Sequence, residues 1–132
     1  MNTCQANEQY GISIAEQARP TLESNTCTEN VLSGIAYFGT STGTSQQNAC
    51  SANERFGISI AEQAQPTLES NTCQGNGQDG ISYQDQAGGL ARDNYCAENA
   101  QNGISIGLRA MPRLEGNRFA GNRGRDVEHR RR

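Results

Sequence analysis

The sequence predicts an all-β chain wound as a parallel β-solenoid, with five full 23-residue coils and a partial sixth. Three observations predict it. The five cysteines, Cys4, Cys27, Cys50, Cys73 and Cys96, each follow the last by 23 residues. Twelve of the 13 asparagines fall on two columns of the same period: Asn2, Asn25, Asn48, Asn71, Asn94 and Asn117, and Asn7, Asn30, Asn53, Asn76, Asn99 and Asn122. Gly11, Gly34, Gly57, Gly80 and Gly103 form another column, each followed by isoleucine, and no copy contains a gap.

A unit of 23 residues is either a helix pair or one β coil. Helix-pair repeats run to roughly 33 residues or more and lean on alanine, leucine and lysine, and this chain has no lysine. The elements follow in order within each unit. Asn-Thr-Cys is short and compatible with an extended backbone. Glycine and asparagine at fixed phases read as turns. Gly-Ile-Ser-Ile alternates as a strand does, and Pro-Thr-Leu-Glu supplies a third extended stretch. Coils stacked ~4.8 Å apart would make a rod of roughly 25–30 Å.

The inward columns are those of Ile12, Ile14, Leu22 and Cys27, with Ala18. Volumes alternate as a shared close-packed interior requires. Ile14, Ile60 and Ile106 stand with Leu22, Leu68 and Leu114, whereas Tyr37 stands with Ser45 and Tyr83 with Ala91. A 46-residue period overlies the first: 57–64 repeats 11–18, and 66–71 repeats 20–25. Phe119 takes the cysteine slot of the sixth copy and Val127 its isoleucine slot. The reading divides the chain into a repeat domain, 1–122, and a basic tail, 123–132.

Composition narrows the class. At 33% hydrophobic residues the chain is polar, yet its net charge is only −3 and its apolar residues keep a strict period, which opposes disorder. No run approaches the ~18 apolar residues of a membrane span. Without a signal-peptide pattern, and with unpaired cysteines, the reading leans to the cytoplasm.

The repeat N-x-C-x-x-N-x-x-x-G-I-x-I resembles the right-handed parallel β-helix repeats of the pectate-lyase-like superfamily, and those of NosD-type proteins of periplasmic copper maturation in particular. The resemblance runs from residue 2 to about 122. It implies a right-handed solenoid. It leaves lyases, hydrolases, epimerases, binding modules and scaffolds all open, because fold does not carry function. The family's lyases use calcium held by clustered acids beside an arginine base, and its hydrolases carry Asn-Thr-Asp. Here the corresponding tripeptide is Asn-Thr-Cys at 2–4, 25–27 and 71–73, a core thiol where the carboxylate would be, and no Asp-Asp pair occurs.

The cysteines read as a packed thiol stack. Their odd number prevents full pairing within a chain, parallel Cβ vectors disfavour the ~90° disulfide dihedral, and no C-x-x-C suggests zinc. The asparagines read as ladders that satisfy turn backbones. No metal and no cofactor is expected.

On the Gly-Ile strand the outward positions, Ser13, Ala36, Ser59, Ser82 and Ser105, read as a small uncharged face without acid or base. Beyond them stand Glu16, Gly39, Glu62, Asp85 and Leu108. Glu62 and Asp85, one coil apart, fall near the ~5 Å of a retaining glycosidase pair, but any acidic column on a solenoid gives such distances. His129 has no partner in the pattern. Residues 1–108 carry three arginines against 11 acids, and 109–132 eight arginines against three acids. The arginines, Arg130, Arg131 and Arg132 last, read as a charged end that opposes edge-to-edge stacking. Nucleic acid is not the expected partner, since aromatics are not interleaved. The uncapped first coil is expected to self-associate.

The expected function is a non-catalytic binding or scaffold rod whose partner is a polysaccharide or a protein. Its expected surface is the flank of Ser13, Glu16, Ser59, Glu62, Ser82, Asp85 and Ser105, with Phe38 as a platform for a sugar. The alternatives are a polysaccharide lyase, hydrolase or epimerase, whole or in part, and a structural unit that assembles through its coil ends.

Overall fold

The computed structural model describes residues 1–130; Arg131 and Arg132, read as part of the basic tail, lie outside the described residues. All regular structure among these is β-strand. The first coil contributes β1 (Thr3–Gln5), β2 (Ile12–Ile14) and β3 (Thr21–Glu23), and the second β4 (Thr26–Thr28), β5 (Ser33–Tyr37) and β6 (Thr44–Gln46). Next come β7 (Ala49–Ser51), β8 (Phe56–Ile60) and β9 (Thr67–Glu69), then β10 (Thr72–Gln74), β11 (Ile81–Tyr83) and β12 (Gly88–Arg92). The last are β13 (Tyr95–Ala97), β14 (Ile104–Ile106), β15 (Met111–Glu115), β16 (Arg118–Ala120) and β17 (Val127–His129).

Every third strand joins one parallel sheet. The cysteine sheet runs β1-β4-β7-β10-β13-β16, the isoleucine sheet β2-β5-β8-β11-β14-β17, and the leucine sheet β3-β6-β9-β12-β15. Register is the 23-residue repeat itself: Cys4 pairs with Cys27, then Cys50, Cys73, Cys96 and Phe119 in turn. The segment 123–132, expected as a tail, carries β17, in which Val127 pairs with Ile104.

The core is the predicted set of columns. Ile14, Ile35, Tyr37, Ile58, Ile60, Leu68, Ile81, Tyr83, Ile104 and Ile106 are buried, with Cys27, Cys50, Cys73 and Cys96. The Ala18 column closes the same interior through Ser41, Ala64, Ala87 and Ala110, though Ala18 itself, on the first coil, is exposed.

Each coil turns on left-handed residues, and most are not glycine. Ala6, Glu29, Ala52 and Glu98 precede the second asparagine column with φ of 53–57°, and Ser24, Gln47, Ser70 and Asp93 precede the first at 55–56°. An asparagine then stitches each corner to the next coil. The backbone N–H and Nδ2 of Asn53 both donate to Oδ1 of Asn76, at 3.1 and 3.0 Å, and Nδ2 also donates to the Cys27 carbonyl at 3.2 Å. The pattern repeats in both columns from Asn2 and Asn7 to Asn117 and Asn122, so buried turn groups find partners.

The glycine column plays a different part from the turn role read in the sequence. These glycines keep negative or extended φ and are needed for close approach instead. A Cβ on Gly57 would stand 2.6 Å from the Gly80 carbonyl oxygen, 2.9 Å from Cys73 Cβ and 3.0 Å from Asn76 Nδ2. Glycine is therefore what lets the asparagine and cysteine ladders stack beside the isoleucine sheet.

Candidate functional site

The outer face of the isoleucine sheet forms the floor of a groove. Ser13, Ala36, Ser59, Ser82, Ser105 and Glu128 lie on it in register. The residues that open each strand or lie just before it make one wall, among them Tyr10, Phe56 and Asp79. Those just after make the other, among them Phe38, Gln84 and Arg130. These walls rise above short side chains, so Ser59, Ser82 and Ser105 are buried rather than displayed; only Ser13, on the first coil, is exposed. The serines bond along the floor: Ser33 Oγ donates to Ser59 Oγ at 3.1 Å, and Ser105 Oγ lies 3.3 Å from Ser82 Oγ.

The groove is not free of acid, contrary to the reading of the serine column. Asp79 is 5% exposed and lies at its wall. Its Oδ1 accepts from the backbone N–H and Nδ2 of Asn102, both at 3.0 Å, and its Oδ2 accepts from Ser105 Oγ at 3.0 Å. Asn102 Oδ1 accepts in turn from the Arg125 N–H at 2.9 Å. This short third ladder runs opposite to the asparagine ladders: here the later coil donates to the earlier one. The signal lay in the column before the glycine, which reads Tyr10, Ser33, Phe56, Asp79, Asn102 and Arg125.

The groove has two halves. Toward the first coils Tyr10 and Phe38 meet edge-on, with ring centroids 5.5 Å apart, and Phe56 lies beyond them over β8. Phe38 is half-buried in this aromatic patch. Toward the later coils a cleft of about 380 Å³ is lined by Arg55, Asp79, Ser82, Gln84, Ser105 and Arg130, with Gln78 and Gln101. The Arg55 guanidinium lies 5.0 Å from the Phe56 ring centre and joins the two halves. Among the described residues neither Arg55 nor Arg130 has an aspartate or glutamate partner.

Glu16, Glu62 and Asp85 stand apart at the neighbouring corner, exposed and left-handed, with φ of 50–60°. Glu62 Oε1 accepts from the Gly39 N–H at 2.6 Å, and Asp85 Oδ2 from the Glu62 N–H at 2.9 Å. These carboxylates satisfy corner amides of the preceding coil. Glu62 and Asp85 border an open depression with Gln63, Gln86 and Leu108, and Asp85 also reaches the edge of the groove. The flank read as one surface is thus two: a serine-floored groove and an acidic corner beside it. Among the described residues no three His, Cys, Asp or Glu side chains converge on a metal position, and no helix is long and apolar enough to cross a membrane.

Comparison with known proteins agrees with this architecture. The fold is similar to that of the periplasmic alginate epimerase AlgG, with a TM-score of 0.72 and 16% identity, over 89% of this chain and 39% of that one. At that identity the likeness is one of fold, and this chain spans about two fifths of AlgG's length. No curated protein matches the sequence. The family model described as "Right handed beta helix region" matches residues 1–131. That match runs the length of the solenoid, and the chain therefore belongs to the right-handed β-helix family.

Proposed function

We propose that the chain is a non-catalytic binding rod whose groove on the isoleucine sheet takes an extended polysaccharide. The observation that carries this reading is the pairing of an aromatic patch with a polar cleft in one groove, joined at Arg55 and Phe56. Aromatic faces suit the apolar faces of sugar rings, while the amides of Gln78, Gln84 and Gln101 and two guanidiniums without carboxylate partners suit hydroxyls and carboxylates. The fold relative AlgG is an alginate epimerase, which is compatible with a polymer lying along such a rod.

A catalytic reading has one observation in its favour, a nine-tenths-buried carboxylate in the groove. The surroundings of Asp79 oppose it. Three donors already occupy that carboxylate, which leaves it holding coils together.

The test is retention of the protein on acidic and neutral polysaccharides, with and without calcium, while shorter or unsaturated products are followed. Retention without products, weakened at least tenfold by Arg55→Gln with Arg130→Gln, is the expected result. Release of products would make the chain an enzyme. Failure to bind any polysaccharide would leave a protein-binding or self-assembling scaffold.

A further inference from the structure

The groove leaves unused the one nucleophilic cluster of the interior, the thiol column. Cys4, Cys27, Cys50, Cys73 and Cys96 are in register on adjacent strands, none is in a disulfide, and the last four are fully buried. Cys27, Cys50 and Cys73 therefore each have another thiol one coil above and one coil below, whereas Cys4 and Cys96 have one thiol neighbour each, Cys96 facing Phe119 on its other side. Parallel neighbouring strands lie ~4.8 Å apart. A zinc–thiolate bond measures ~2.3 Å, and two metal–sulfur bonds of about that length in line span ~4.6 Å. The coil rise thus matches a linear sulfur–metal–sulfur bridge without movement of the backbone. A two-coordinate ion needs only one such pair, so the absence of a three-ligand cluster among the described residues does not bear on it.

We propose that register-adjacent cysteines of the column bind soft, two-coordinate cations, one ion between each pair of coils it bridges. Thiolate is the ligand that selects such ions. For a divalent ion the step balances as two S–H bonds broken, two S–metal bonds formed and two protons released to solvent. The product is neutral, which suits an interior of isoleucine, leucine and alanine where a net charge would be costly. Entry is through Cys4, which is only half-buried, and through opening of coils.

Mercuric chloride is the probe, and counting is the test. Five thiols in a row contain at most two separate neighbouring pairs, so the native chain should take up two ions that survive a wash with a competing monothiol, with two protons released per ion. Cys50→Ala and Cys27→Ala each keep four thiols but divide them differently. Cys50→Ala leaves the pairs Cys4–Cys27 and Cys73–Cys96, so two ions should remain. Cys27→Ala isolates Cys4 and leaves three thiols in a row, so one should remain. Cys4→Ala (two ions) and Cys73→Ala (one ion) repeat the contrast should either variant fail to fold. Equal counts across the contrast, as thiols acting singly would give, overturn the proposal. So does uptake accompanied by loss of the β-sheet circular dichroism signal.

Discussion

Tyr37 and Ser45 share a buried hydrogen bond across the core that Tyr83 and Ala91, two coils further on, cannot make. The two pairs occupy equivalent columns, and in both a tyrosine replaces the isoleucine and a small residue the leucine of neighbouring coils. Volume is conserved in both, but only one pair conserves polarity. The Tyr83 hydroxyl is left buried without a partner.

Opposite effects are therefore expected from the same substitution at the two sites. An unsatisfied buried hydroxyl costs about 1–3 kcal/mol, so Tyr83→Phe should stabilise the rod by about 1 kcal/mol. Tyr37→Phe should destabilise it by a similar amount, because it strands the Ser45 hydroxyl. Ala91→Ser should partly restore the bond to Tyr83. Urea midpoints of the three variants check this, and equal shifts for the two phenylalanine variants would contradict it.

The ladders should be weak at the first coil and strong in the middle. Asn53→Leu removes the side-chain bonds to Asn76 and Cys27 and takes away the acceptor for Asn30, all in a buried setting. A loss of about 3 kcal/mol or more is expected. Asn7→Leu removes one side-chain bond at an exposed position and should cost less than about 1 kcal/mol. Thermal melts of both variants measure the contrast.

Gly57→Ala should be damaging through close approach alone, since its φ is not left-handed. Two of the atoms its Cβ would meet are a backbone oxygen at 2.6 Å and a core Cβ at 2.9 Å, and neither can swing aside. Overpacking of this kind costs about 1–3 kcal/mol. Gly75→Ala is the control: nothing lies within 4 Å of its Cβ, and its cost arises from φ +66° alone. That cost should be about 1 kcal/mol. Equal losses would show that conformation, not close approach, selects glycine at position 57.

Stability should fall in alkali. Burial, and then the neighbouring Cys96 and Cys73, hold the Tyr83 phenol above its ordinary 10.0. Burial pushes the Tyr37 phenol from 10.0 up to about 12. Above the ordinary values the unfolded chain sheds these protons while the folded chain keeps them, so stability is full below about pH 10 and declines as pH rises. Tyr37 alone accounts for about 2–3 kcal/mol between pH 10 and 12. Urea unfolding at pH 7, 9 and 10.5 checks the direction, and Tyr37→Phe should flatten the upper part of the curve. In the same native state an alkylating agent should label Cys4 quickly and the other four only as slowly as the coils open.

What the sequence determined by itself was everything that repeats. A column spaced by 23 residues becomes a stack when coils close, so the three sheets, their register, the core columns and both asparagine ladders were legible from spacing. Even the tyrosine–small pairs were visible as volume. The rest was settled by closure of the coils and lies between columns that are not neighbours in the chain. The burial of Ser59, Ser82 and Ser105 depends on how far the walls of Phe56, Asp79 and Gln84 rise over them, and Asp79 joins the groove because Asn102 and Ser105 on the next coil hold it there. The use of Glu62 and Asp85 as acceptors for corner amides follows from left-handed corners that glycine marks in one coil only, at Gly39. Spacing encodes what stacks along the axis; the shape of the surface around the axis is set by which side chains meet once the coils have closed.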